Sequence, residues 1–253
     1  MIEILNKTEC CGCEACANTC PLGIVKMIED NEGFLFPSVE KSKCIQCGAC
    51  NRACPIDREF INYEDRGIYK IPKSYGGWIK DESIRYDSSS GGAFSLFANY
   101  VLSEGGIVYG ASLCDDLVVR HVAVEDVENL SKLRGSKYVQ SAIGDTYSKV
   151  KENLKEDRMV LFAGTPCQAA GLTSFLGNKL YDKLYIIDFI CHGVPSPKVF
   201  SDYIKYINNK IEDKIVWFKF RLKDKKWSPS GLQLGTGFGT EKGRFIRKYP
   251  AFF

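Results

Sequence analysis

The spacing of the nine cysteines in the first 54 residues constrains this chain more than any other feature. Cys10, Cys13, Cys16 and Cys20 precede Pro21 in the pattern C-x2-C-x2-C-x3-C-P. Cys44, Cys47, Cys50 and Cys54 precede Pro55 in the same pattern, 34 residues further on. Two identical runs are an internal duplication. Each puts three thiols in one short loop and a fourth a turn later, and cysteines clustered at regular spacing in a chain without a secretory leader read as metal ligands rather than disulfide partners.

A closed zinc site takes four ligands in two pairs, whereas three near thiols and one distant one suit the corners of a cubane. Where the bacterial ferredoxin run of this form occurs twice, the fourth cysteine of each run ligates the other cluster. The expected ligand sets are therefore Cys10, Cys13, Cys16 and Cys54 for one [4Fe-4S] cluster and Cys44, Cys47, Cys50 and Cys20 for the second. Gly12, Ala15, Gly48 and Ala49 are small enough to let the backbone approach. Cys11 fits neither register and reads as a small apolar neighbour. Between the runs, IVKMIEDNEGFLFPSVEKSK suggests a helical turn and then a hairpin around Asp30-Asn31-Glu32-Gly33.

Beyond this module, expected over 1–66, cysteines become rare, and strands and helices alternate over 67–253. Hydrophobic residues make up 45% and charged residues 26%, the balance of a folded soluble protein. A net charge of +3 is too small to indicate a nucleic-acid partner. MIEILNKTECCGC has no leader pattern and no run reaches membrane-span length, so a cytoplasmic location without a membrane span is expected. GIVYGASL, RMVLFAGT and KLYIIDFIC read as buried strands. LVVRHVAVED pairs with the first of them through Cys114-Asp115-Asp116, with Cys114 structural. AFSLFANYVLSEGG, DTYSKVKENLKED, QAAGLTSFLG and KVFSDYIKYINNK read as helices. The fold class expected is α+β, a two-cluster ferredoxin-like module followed by a mixed α/β domain.

Three corners of the second domain carry chemistry. In YDSSSGGAFSLFANYVL, Ser89, Ser90, Gly91 and Gly92 precede a helix, and such a start offers free N–H groups to a phosphate or a flavin edge; a capped helix after a loop explains it equally. In LFAGTPCQAAGL, Gly164 ends a strand, Thr165 is an N-cap, Pro166 the first helical residue and Gln168 the capping-box partner. Cys167 then sits in the first turn, where the helix dipole is expected to lower its pKa. In DFICHGVPSPKVF, Cys191, His192 and Gly193 end a strand before a helix that starts after Pro197; His192 by itself is more often structural.

With the cysteine runs, these corners and the segments LRGSKYVQS and FRLKDKKW, the chain resembles the beta-subunit family of coenzyme F420 hydrogenases and dehydrogenases. The resemblance implies an oxidoreductase subunit that passes electrons between an FAD in the larger domain and the two clusters, with coenzyme F420 as a substrate and a redox partner protein or a hydrogenase-type complex beside it. It implies flavin contacts from the three corners named and from Arg134, Lys137 and Tyr138, with Lys137 or Arg134 stabilising an anionic reduced flavin. It also implies that the second domain, as given, is incomplete at its C-terminus. No catalytic acid or base is assigned. The alternative is a non-enzymatic electron-transfer or polysaccharide-biosynthesis accessory protein with clusters and no flavin turnover.

Overall fold

The computed structural model describes residues 1–3, 7–56, 73–222 and 235–248. The expected domain boundary at 66 and the part of FRLKDKKW beyond Leu222 lie outside the described residues.

The two cysteine runs each open a short helix at the same place in the repeat, α1 (Ala15–Thr19) and α2 (Ala49–Arg52). Between them β1 (Val25–Glu29) and β2 (Leu35–Val39) form an antiparallel hairpin, in register from Val25↔Val39 to Glu29↔Leu35. The Asp30 carboxylate closes the turn, accepting the N–H groups of Glu32 and Phe34, both at 3.0 Å. The helical turn expected before the hairpin is not there. Val25 is buried and Lys26 exposed, a period of two that pairs with β2, and the short helical turn falls after the hairpin, at Lys41–Lys43.

The larger module begins with α3 (Glu82–Asp87) and α4 (Ala93–Ser103), followed by β3 (Ile107–Leu113), β4 (Val119–Val124), α5 (Thr146–Lys155), β5 (Val160–Ala163), α6 (Pro166–Phe175) and β6 (Leu184–Ile187). The four strands form one sheet in the order β4-β3-β5-β6. The tight turn after Leu113 makes β4 antiparallel to β3, whereas β5 and β6 run parallel to their neighbours because helices carry the chain back between them. Alternation along the strands separates two cores. Val108, Val124 and Leu161 face α4 through Ala98, Val101 and Leu102. Ile107, Tyr109, Val160 and Phe162 face α5 and α6 through Tyr147, Val150 and Leu172. Cys13, Ala15 and Ala53 belong to this second core, so the first cysteine run is seated on α5 and α6.

β6 corrects the reading of KLYIIDFIC as a buried strand. It is the sheet edge, and Tyr185 and Ile186 are 38% and 39% exposed because no further strand covers them among the described residues. A third sheet was not anticipated: β7 (Ile215–Leu222), β8 (Gly235–Thr240) and β9 (Phe245–Lys248), all antiparallel. It packs on α7 (Pro197–Ile211) through Phe200, Ile204 and Ile207 against Phe218, Phe220 and Phe238. Among the described residues no helix is long and apolar enough to cross a membrane.

Candidate functional site

The duplication extends to backbone conformation. Two residues after the first cysteine of each run, Gly12 (φ 62°) and Gln46 (φ 54°) are left-handed. Two residues later, so are Glu14 (φ 63°) and Gly48 (φ 71°). A chain that turns left-handed twice in three residues curls around whatever its cysteines hold, and in each run glycine takes one of the two positions, where a side chain costs most.

The sulfurs of the two runs lie close to one another, Cys16 and Cys50 sharing one buried cluster with Cys20 and Cys54 packed against it. Cys20, Cys44, Cys47 and Cys50 line a single cavity with Val25 and Ile45. Cys10, Cys16 and Cys54 lie within each other's electrostatic reach. Cys13, the fourth member of that set, faces Cys11 and Gly171 instead.

The donor set fits iron-sulfur clusters. Eight thiolate donors in two runs, each with three close sulfurs and a fourth further on, suit the corners of cubanes. Burial, then the charges of Cys10 and Cys54, push the Cys16 thiol up to about 12. Burial also raises Cys10 against the lowering effect of the Gly12 N–H. Such thiols are deprotonated by a cationic centre in their midst. Backbone N–H groups already point at sulfur, from Ile2 to Cys50 Sγ at 3.1 Å and from Gln46 to Cys44 Sγ at 3.4 Å. Burial raises the Cys20 thiol, but the N–H groups of Ile24, Leu22, Val25 and Gly23 outweigh it and leave the pKa below the ordinary value.

The first loop is bound to the larger module by specific contacts. Tyr147, fully buried on α5, places its hydroxyl 3.0 Å from the Cys13 carbonyl and 2.8 Å from that of Gln168. Gly171 lets α6 close on the loop, because a Cβ there would stand 2.9 Å from Tyr147 Oη and 3.2 Å from Cys13 Sγ. Cys11 is partly buried, and its thiol lies within electrostatic reach of those of Cys13 and Cys167. At the start of α6, Thr165 and Gln168 form the expected capping box, with Thr165 N–H donating to Gln168 Oε1 at 3.0 Å. The expectation of a lowered Cys167 pKa is corrected. The Cys11 thiol, followed by burial, raises it well above the usual thiol value and outweighs the helix dipole.

The structure joins several of the other sequence-nominated residues. Ser89 Oγ and Ser136 Oγ are 2.7 Å apart, and the Ser136 N–H also donates to Ser89 Oγ at 2.7 Å. Arg134 Nε donates to Ser95 Oγ on the first turn of α4 at 3.0 Å. Lys137 Nζ donates to the carbonyls of Lys132 (3.1 Å) and Arg134 (2.9 Å), and burial pushes its pKa down to about 7. The Arg134 guanidinium therefore stands by the start of α4, a setting suited to an anionic group such as a flavin diphosphate, with Lys137 bonded to the Arg134 carbonyl. Ser90 lies in the same loop, while Gly91 and Gly92 make room for the chain's own Trp78 and Ile79. Gly164 packs on the Phe162 ring. Tyr138 points away, edge-on to Phe220 in the α7 core. Cys191, His192 and Gly193 lie on a loop after β6, with His192 exposed.

His121 was missed because in VRHVAV it is one residue of a strand. It is 7% exposed and stacks on Phe162 at 5.3 Å. Its Nε2 lies 3.1 Å from the Ala163 carbonyl and must donate to it. Nδ1 then accepts from the Ser141 hydroxyl at 2.9 Å, which in turn accepts from Gln168 Nε2 at 3.1 Å. Burial drives the imidazole pKa down to about 4; the Ala163 carbonyl opposes this and Lys137 adds to it. A neutral histidine thus ties the strand end at Ala163 through Ser141 to Gln168 at the start of α6. No sequence signal other than its place on a buried strand marked it.

Three family models match the chain. One, described as "4Fe-4S dicluster domain", covers residues 9–58. The other two describe the beta subunit of "Coenzyme F420 hydrogenase/dehydrogenase", its N-terminal part over residues 74–146 and its C-terminal part over 157–245. No curated protein matches. Among solved structures, a chain of the F420-reducing [NiFe] hydrogenase complex from Methanosarcina barkeri is similar, with 19% sequence identity and a TM-score of 0.44. The match covers 70% of this chain and 63% of that one, so less than two thirds of the relative's length is represented.

Proposed function

Because the chain belongs to the coenzyme F420 hydrogenase/dehydrogenase beta-subunit family, we propose that it relays electrons between an FAD in its larger module and two [4Fe-4S] clusters in its N-terminal module. Coenzyme F420 or a chemically similar hydride carrier would meet the flavin, and a partner redox protein would meet the clusters. The observation that carries this reading is the seating of the Cys10 to Cys16 loop on α6, whose first turn is the Gly164 to Gln168 corner.

An FAD exchanges a hydride or two electrons and passes electrons on singly, and each cluster carries one. The chain's own residues supply position and charge. Cys10, Cys13, Cys16 and Cys54 would hold one cluster and Cys20, Cys44, Cys47 and Cys50 the other. The N–H groups directed at Cys20, Cys44 and Cys50 stabilise negative charge on sulfur. Arg134 places positive charge at the start of α4, and it and a protonated Lys137 would hold the flavin's anionic groups, with Ser89 and Ser136 closing the loop beside them. Capping by Gln168 and packing on Tyr147 hold the α6 start against the cluster loop.

The test is cofactor content of intact protein purified without oxygen. About eight irons per chain, cubane EPR signals on reduction and flavin absorption near about 450 nm are expected. Reduced coenzyme F420 should then bleach the flavin before the clusters. Clusters without any flavin after reconstitution would sink the FAD assignment and favour a simple electron carrier.

A further inference from the structure

The stretch of the larger module from Gln140 to Gly144 lies along the first cysteine run. The Ile143 and Gly144 N–H groups donate to the Glu14 carboxylate, and the Gly144 carbonyl accepts from Asn18 Nδ2 at 2.8 Å. At the head of the stretch the Gln140 N–H donates to the Pro195 carbonyl at 3.1 Å, which fixes the backbone there. The Gln140 side chain reaches Gly12, which stands between the candidate ligands Cys10 and Cys13. A Cβ on Gly12 would overlap Gln140 Nε2 and stand 3.4 Å from its Cδ, so only glycine, left-handed at φ 62°, leaves room for the carboxamide. Gln140 Oε1 is buried and has no hydrogen-bond partner among the described residues. A buried carboxamide in that state calls for a partner other than the chain's own groups.

From this placement we propose that Gln140 donates an N–H from the larger module to sulfur of the first cluster and raises that cluster's reduction potential. The inference rests on the cluster part of the function proposed above and not on the flavin. A [4Fe-4S] cluster held by Cys10, Cys13, Cys16 and Cys54 presents only acceptors, its sulfides and thiolate sulfurs. Glutamine carries two N–H donors at one end of its carboxamide and an acceptor at the other. Because the oxygen is unpaired, a half-turn of the group breaks none of its bonds and turns the NH2 end to the cluster. The reduced cluster holds one more electron than the oxidised one, so a donor at its sulfur favours reduction. The effect belongs to this cluster alone. The cavity of Cys20, Cys44, Cys47 and Cys50 is lined by residues between Met1 and Cys50, none of them from the larger module.

The experiment is a potentiometric titration of the intact, anaerobically purified protein followed by EPR, with iron counted in every sample. Gln140→Met keeps the length of the side chain and removes the amide, and Gln140→Glu keeps its shape and offers only acceptors. Cys47→Ser, which removes the second cluster, identifies the signal of the first. The expected result is about eight irons in the wild type and in both Gln140 variants. The midpoint of the first cluster should be more negative in both variants and that of the second unchanged. Unchanged midpoints, or a shift not confined to the first cluster, overturn the proposal. Loss of the first cluster's iron in Gln140→Met makes the side chain a structural support and overturns it equally. Wild-type protein that takes up no iron removes the cluster reading itself, so the two failures are distinct.

Discussion

The carboxylate of Glu14 accepts the backbone N–H of Ile143 at 2.7 Å, across 129 residues of sequence, and its second oxygen accepts the N–H of Gly144 at 3.0 Å. Glu14 is only 6% exposed and sits between two candidate ligands, Cys13 and Cys16. A side chain in the cluster loop therefore satisfies the backbone of the larger module just before α5. Replacing it by alanine leaves two buried donors without an acceptor, a loss of about 2–4 kcal/mol. Glu14→Ala should lower the apparent Tm in thermal denaturation, with Glu14→Gln retaining part of the difference.

Ligand crossing between the two runs has a consequence for double variants. Cys54→Ser should leave about four irons per chain. Adding Cys13→Ser should remove no more, because both act on one cluster. Adding Cys47→Ser to Cys54→Ser should remove nearly all the iron. Iron counting with EPR of the reduced variants reads the pattern, and the opposite grouping would mean that each run closes its own cluster.

His121 makes stability depend on acid. Its folded pKa of about 4 lies below the ordinary 6.5, so the unfolded chain binds the extra proton between those values. Stability is fully present above pH 6.5 and is lost as pH falls through about 4, by at most on the order of 3 kcal/mol. Chemical denaturation of wild type and of His121→Gln between pH 4 and 7 should show a shallower slope for the variant.

Gly171→Ala puts a methyl group against Tyr147 Oη and Cys13 Sγ. Alanine favours the helix by about 1 kcal/mol, but overpacking costs about 1–3 kcal/mol, so a small net loss of stability is expected. The more specific sign is in the metal. Displacement of Cys13 should speed iron loss to a chelator from one cluster and leave the other unchanged, giving biphasic kinetics.

A pH effect of the same origin, in a more alkaline window, is expected at Lys137, whose folded pKa of about 7 lies below the ordinary 10.5. Between those values the unfolded chain holds the proton and the folded chain does not, so stability rises with pH across that window. Lys137→Met should flatten this rise in denaturation curves recorded from pH 7 to 10. Bound flavin, if its negative charge faces Lys137, should flatten it in the wild type as well.

Local sequence determined the features that depend on short-range chemistry. The cysteine repeat already implied two ligand sets, since spacing within a run decides which thiols share a loop. The hairpin, the four main helices and the Thr165-Gln168 capping box were legible for the same reason: turn residues, apolar period and cap chemistry all act within a few positions. Only tertiary structure decided what those pieces meet. Edge or centre for β6 depends on which strands lie beside it. The sheet of β7, β8 and β9 carries glycines and aromatics whose pattern gains meaning only against α7. The pKa expected of Cys167 from its helix position was reversed by a thiol 156 residues away, and Glu14 and His121 acquired their roles from backbone groups distant in sequence. Burial and long-range hydrogen bonds are properties of the folded chain, and they set the charge states that a residue's neighbours in sequence cannot.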